Sequence, residues 1–178
     1  MPTTRVYRDV KIYSGGYDLS GDTNQLKLSY AYDKVEVKHF GQECRYNAKG
    51  LARLAFDLVG NAYSNDDPAG SEDVLYARQG LADVPMTFCP LTGAPGEVGY
   101  FAKTMQADLE VGGAVGEMYA FTVAGEGENV PLVRGTMLAT GAKSSTGQGT
   151  AYELGEITAG RKLYACLHVL AVAGTDPT

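Results

Sequence analysis

The sequence predicts a mainly β fold, a two-sheet β-sandwich or barrel with one short flanking α-helix at about residues 72–79, and three observations carry that prediction. Turn signals recur about every 8 to 12 residues, the spacing of sandwiches and barrels. The 178 residues hold 23 glycines and 12 tyrosines with no tryptophan, a composition suited to turns and strands. Runs that alternate apolar with polar residues are common, whereas only one stretch reads as a helix. A chain of 178 residues can bury a core without disulfides or metals, so a single β-sandwich domain is expected over 1–178.

The rest of the chain is organised around residues 26–41. Leu26, Leu28 and Tyr30 alternate with Lys27, Ser29 and Ala31; after the polar break Asp33-Lys34, Val35 and Val37 alternate with Glu36 and Lys38, and Phe40 follows. This is hairpin geometry or one long bent strand, and in either form it needs further strands against its apolar face. Upstream, Arg5 to Tyr13 reads as a strand that Ser14-Gly15-Gly16 ends, and 17–25 reads as a structured loop. Downstream, Leu51 to Val59 is compatible with helix or strand. The alternation of Leu54, Phe56 and Leu58 between Gly50 and Gly60 favours the strand.

The helix signal lies at Ser71 to Gly80. Ser71 is placed to cap it, Glu72 and Asp73 complement the positive dipole end, Arg78 falls in the last turn, and Gly80 suits a left-handed C′ position. Strands are then expected in Val84 to Pro90, Val98 to Gly112, Glu117 to Gly125, Val130 to Thr140 and Thr150 to Ile157, with a turn in the 125–129 run Gly-Glu-Gly-Glu-Asn. Residues 161–174 read as the most apolar strand, closing the domain.

Charge and motif content exclude several functions. A net charge of -6 without a basic run argues against a patch for duplex nucleic acid or anionic lipid. No apolar run reaches the ~18 residues of a membrane span, and the first ten residues lack an apolar leader, so a soluble protein assembled in a cytoplasm is expected. Cys44, Cys89 and Cys166 read as small buried thiols, not as a disulfide plus an orphan. His39 and His168 are better explained as strand-end or hydrogen-bonded residues than as ligands or bases, and Gly135 to Ser144 lacks the spacing of a phosphate loop. Asn65, Asp66, Asp67, Glu72 and Asp73 could offer oxygens to calcium, yet the last two already have a helix-start role. Neither a catalytic constellation nor a cofactor motif emerges, so an enzyme, a cofactor and a bound metal are not expected.

Residues 17–42, followed by 50–62, resemble the N-terminal half of the tail tube (major tail) proteins of long-tailed bacteriophages. The resemblance rests on an Asp-Leu-Ser-Gly entry at 18–21, a strand, an acidic turn, and the close Val35 to Gly41, which lacks the threonine usual in that family. A Gly-Leu strand at 50–51 completes it, and the segments 115–121, 132–138 and 163–175 are also similar to stretches of phage virion proteins. The resemblance implies a non-enzymatic virion protein of the tail, assembled from copies of itself into rings, commonly hexameric, whose inner strands join into a barrel. Stacked rings would conduct DNA without sequence-specific binding, in contact with other virion proteins and no membrane. On that reading Leu26, Leu28, Tyr30, Val35, Val37 and Phe40 form the ring-assembly ribbon, with Lys27, Asp33, Glu36 and Lys38 as lumen or surface charges. Two other readings stand beside it. One is a capsid decoration or minor tail protein; the other is a carbohydrate-binding β-sandwich, which would need Tyr30, Tyr32, Tyr100 and Tyr119 on one face.

Overall fold

The computed structural model of the chain describes residues 9–37, 41, 46–61, 70–142, 151, 153 and 155–170. Its strands are β1 (Lys11–Ser14), β2 (Tyr17–Asp18), β3 (Thr23–Val37), β4 (Tyr46–Gly60), β5 (Val84–Cys89), β6 (Val98–Gly112), β7 (Ala120–Gly127) and β8 (Val133–Thr136), and α1 (Ser71–Ala77) is the helix among the described residues. Every strand pairing is antiparallel, in the order β2-β1-β5-β6-β7-β4-β3, with β8 added beside β6. The mainly β class with one short helix is as expected, and Leu51 to Val59 is a strand that extends back to Tyr46.

The two layers of the expected sandwich are the two halves of one continuous sheet. Thr104 of β6 pairs with Val84 on one side and Gly127 on the other, while Tyr100 pairs with Phe88 and Arg134. β7 and β8 therefore follow one another along the same edge of β6, and β6 runs through both halves. In a flat sheet β5 and β4 would stand three strand spacings apart, about 14 Å. Yet the rings of Phe88 on β5 and Phe56 on β4 lie 6.0 Å apart between centroids. The sheet has curled until its inner faces meet, which long, twisted, bulged strands permit.

Between those faces lie Ile12, Phe56, Leu58, Met86, Phe88, Phe121 and Val123, closed off by Leu19 and by Val74 and Leu75 of α1. Leu19 reaches the core because its loop is tied down. Its N–H donates to Ile12 O (2.9 Å), the Ile12 N–H donates to Ser20 Oγ (2.9 Å), and Asp18 accepts from Ser20 N–H at 3.0 Å and pairs with Lys11 at 3.2 Å. Burial alone would raise the Asp18 carboxyl, but the Ser20 and Lys11 contacts outweigh it and hold the group below its ordinary value.

The helix ends differ from expectation. Gly70 occupies the N-cap, without a side chain to cap the helix, and Ser71 is the first helical residue and buried. The chain enters α1 from an extended Gly70 that drives the small Ser71 inward, so no hydroxyl is left at the cap. Gly80 does take the left-handed conformation (φ 74°), and its N–H donates to Gln106 O at 2.9 Å. Gln106, buried on β6, returns a bond to Leu75 O at 2.8 Å, fixing the helix to the sheet. Arg78 is no surface counter-charge. It is buried, donates to the Ser14 hydroxyl and stacks over Tyr17 at 4.9 Å, and burial lowers its pKa.

Further differences are ones of extent. The 125–129 turn yields its first residues to β7, the strand expected over 130–140 is confined to Val133–Thr136, and the described residues of 150–157 form no strand. Gly60 shows how tightly the halves close: a Cβ there would sit 2.2 Å from both Asp22 O and the Phe121 ring. Gly60→Ala is therefore expected to destabilise the fold by about 2–3 kcal/mol through overpacking, read as a lower urea midpoint with the slope unchanged.

Candidate assembly surface

β3 and β4 form a long hairpin whose register decides which side chains share a face. Leu26, Leu28 and Tyr30 stand opposite Leu58, Phe56 and Leu54, and all point to the core side. Lys27, Ser29 and Ala31 stand opposite Asp57, Ala55 and Arg53 on the other side. Of the two forms left open by the sequence, β3 is the single long strand: Lys34 lies within it, paired with Lys49, and the polar break is a bulge, not a turn. At the bulge, Leu51 and Gly50 of β4 face Asp33 alone. Only glycine fits at 50, because a Cβ would lie 2.9 Å from both Cβ and O of Asp33.

The continuous strand corrects the expected apolar ribbon. By strand alternation Val35 and Val37, opposite Ala48 and Tyr46, lie on the face opposite to Leu26, Leu28 and Tyr30. The core side beyond Tyr30 instead carries Tyr32, Lys34 and Glu36. Tyr30 and Tyr32 meet edge to face with centroids 5.4 Å apart and hydroxyls 3.3 Å apart, and Lys49 Nζ sits 3.7 Å over the Tyr32 ring. The hydroxyl–hydroxyl bond raises the Tyr30 pKa; the same bond, joined by Lys49, lowers that of Tyr32. Phe40 and Lys38 lie outside the described residues, as do Cys44, His39 and Asn65 to Asp67.

β4 pairs with β7 only from Ala55 to Gly60, so among the described residues the hairpin beyond Leu54 pairs with no third strand. This distal arm exposes Val35 (53%) and Tyr46 (61%). Two strands with apolar side chains open to water are marginal alone.

The outward face of β3, β4, β7 and β6 is different in character. Cross-strand register places Lys27, Ser29, Arg53, Ala55, Asp57, Thr122, Ala124, Glu126, Asp108 and Glu110 together on it. Its cations are matched, Lys27 with Asp57 at 3.7 Å and Arg53 with Glu126, whose carboxylate raises the guanidinium's pKa. Asp108 and Glu110 are the surplus, on a surface otherwise built of small side chains. They face outward because Ala107 is an extra residue between the pairs Gln106–Gly125 and Asp108–Ala124, resetting the alternation of β6. The strand reading of Leu51 to Val59, with Leu54, Phe56 and Leu58 inward, puts Arg53, Ala55 and Asp57 outward as found, whereas no sequence reading singled out Glu126, Asp108 or Glu110.

The described part of the C-terminal stretch, residues 161–170, does not form a strand of the sheet. Residues 162–170 cross the outer face of β1 and β5, held by side chains: Thr87 Oγ1 is 2.8 Å from His168 Nε2, Cys166 Sγ is 3.2 Å from the same nitrogen, and the His168 ring stacks on Tyr13 at 5.7 Å. Cys89 is fully buried as expected, and burial, with Glu97, pushes its thiol up to about 11. Cys166 is half-buried, and His168 Nδ1 is buried without a partner among the described residues.

Burial, aided by the Arg78 charge, lowers the His168 pKa. The folded chain thus binds fewer protons than the unfolded one, so this anchor is intact above the ordinary imidazole value of about 6.5 and weakens as pH falls through it. Proteolysis of the 161–170 segment is expected to accelerate between pH 7 and pH 5, and His168→Gln to remove that pH dependence.

The four tyrosines of a sugar platform do not share a face: Tyr30 and Tyr32 flank the arm, Tyr100 packs against the core from β6, and Tyr119 is exposed in the loop before β7. Among the described residues no group of three His, Cys, Asp or Glu is placed to hold a metal ion, and no helix is long and apolar enough to cross a membrane.

No protein-family model matches the sequence, and no curated protein does. The fold, in contrast, has close counterparts among solved structures. A chain in the tail of an empty gene transfer agent particle, refined with C6 symmetry, is 12% identical with a TM-score of 0.54, the match covering 73% of this chain and 98% of that one. A chain of the PVC sheath-tube complex of an extracellular contractile injection system is 11% identical with a TM-score of 0.57, covering 75% and 92%. A third, in the six-fold symmetrised baseplate of the anti-feeding prophage, is 10% identical at 0.55, covering 75% and 97%. With its curled antiparallel sheet, long β3–β4 hairpin and, among the described residues, one short helix, the chain shares the fold of these chains from a phage-like tail and from contractile injection systems.

Proposed function

We propose that the chain is the structural subunit of a tail tube, assembling into rings that stack into a DNA-conducting channel. The observation that carries this reading is the distal β3–β4 arm, a two-stranded ribbon that exposes Val35 and Tyr46 and, among the described residues, has no third strand, at one edge of the sheet. A free edge at each end of the sheet order, β3 at one and β2 at the other, suits head-to-tail contacts that close into a ring. Six copies is the number favoured by the six-fold symmetry of two of the structures it is similar to.

Within that reading the ring-assembly surface consists of the arm with Val35 and Val37, while Leu26, Leu28 and Tyr30 hold the hairpin to its own core. The face of small residues with Lys27, Asp57, Asp108 and Glu110 lines the lumen. Its matched cations and surplus carboxylates repel phosphate without gripping it, as a conduit for DNA requires. The role is mechanical, with no catalysis, and its setting is the virion tail alongside other virion proteins.

The test is negative-stain electron microscopy of the purified chain with light scattering for mass. Stacked rings or hollow filaments are the expected result. A discrete monomer or trimer at every concentration would overturn it and favour a capsid decoration protein, with binding to empty capsids as the next measurement.

A further inference from the structure

The C-terminal segment is the second unsatisfied feature of the chain. From 162 to 170 it is neither helix nor strand, and among the described residues no main-chain hydrogen bond joins it to the sheet; the nearest is the turn bond from Arg161 N–H to Thr158 O at 3.1 Å. Cys166 and His168 point inward onto Thr87. The alternate residues form an apolar row in solvent, Leu163, Leu167 at 82% exposure, and Val169, with exposed Arg161 at its head.

The row is held in place. The Val169 carbonyl oxygen lies where a Cβ on Gly16 would be only 2.9 Å away, so the β1–β2 turn fits closely beneath it. A segment with an apolar row in solvent, whose main-chain groups at 162–170 bond to no strand among the described residues, is a template for another strand.

The complementary surface is on another part of the same chain. The segment lies over β1 and β5, whereas the distal arm leaves from β3 and β4 at the other end of the strand order. One face of that arm reads Asp33, Val35, Val37 by alternation, an acid followed by apolar residues, against the base followed by apolar residues of the segment. Two such surfaces on different elements of one chain suit a head-to-tail contact between copies.

We propose that residues 161–169 of one copy dock the distal β3–β4 arm of the next copy, Arg161 meeting Asp33, Leu163 covering Val35, Ala165 lying against Val37 and Leu167 reaching past it. The inference rests on the tube reading and names the surface that receives the arm.

The experiment introduces a photo-crosslinking benzoylphenylalanine at Leu167 in a mixture of isotopically light and heavy chains, and measures assembly of Leu167→Asp and of the charge swap Arg161→Glu with Asp33→Arg. Mixed-isotope crosslinks from 167 to residues 31–37 or 46–53 are expected. The assembled fraction should fall about tenfold in Leu167→Asp and in each single swap, and recover in the double swap. Circular dichroism checks that Leu167→Asp stays folded, as an exposed position should. Normal rings from Leu167→Asp, or crosslinks confined to one chain or to other elements, overturn the docking while leaving the tube reading intact. A wild-type chain that never assembles overturns both.

Discussion

Truncating Phe56 to alanine is expected to lower the unfolding free energy by about 3–5 kcal/mol, as a large core deletion does. Phe56 is 2% exposed and fills the space between the facing halves of the sheet, against Phe88 of β5 and the backbone at Gly125 of β7. The sharper measurement is the cycle of Phe56→Ala, Phe88→Ala and the double variant in urea. A pair of aromatic rings in contact gives a coupling of about 0.5–1.5 kcal/mol. Strands separated by two others in an open sheet would give a coupling near zero, so an additive cycle would show that the sheet is not curled.

Val35→Asp is expected to abolish ring assembly and leave the monomer folded. The side chain is 53% exposed on a hairpin segment outside the core, so its replacement costs the isolated chain little. Once a neighbouring copy covers it, however, an unpaired carboxylate in an apolar contact costs several kcal/mol at every interface of the ring. Sedimentation velocity alongside a urea melt separates the two effects. Normal filaments from this variant would mean that the arm is not the ring-forming element.

The alternations of Leu26, Leu28, Tyr30 and of Leu54, Phe56, Leu58 were legible in the sequence because each half-strand buries one face against the core. The place where the pattern changes side was not. At Asp33 the polar pair reads as a turn, but the structure absorbs it as a bulge opposite Leu51 and Gly50, a property of two strands in register that neither shows alone. The same holds for Ala107, whose insertion decides that Asp108 faces outward. Residues 161–170 have the composition of a strand, but the strands they lie against offer them no edge: β1 is flanked by β2 and β5, and β5 by β1 and β6, so the segment packs on the sheet's face through side chains instead. The acidic first turn of α1 and the glycine beyond it were readable, whereas Arg78, which fits the rule for a cation at a helix end, is drawn inward by Ser14 and Tyr17 from 60 residues away in sequence, a contact of separation 64 for the serine.

The pairing of β4 with β7 joins residues 55–60 to residues 121–126, and this has a consequence for synthesis. The β3–β4 hairpin leaves the ribosome complete long before its third strand exists. At ~5–20 residues per second the interval is on the order of several seconds. During it Phe56 and Leu58 have neither β5 nor β7 to cover them, so the nascent hairpin presents the future core and the assembly arm to water together. Neighbouring ribosomes on one message hold such hairpins side by side, and a chaperone that shields the hairpin until β7 emerges would raise the yield of soluble subunit more than one acting on the finished chain.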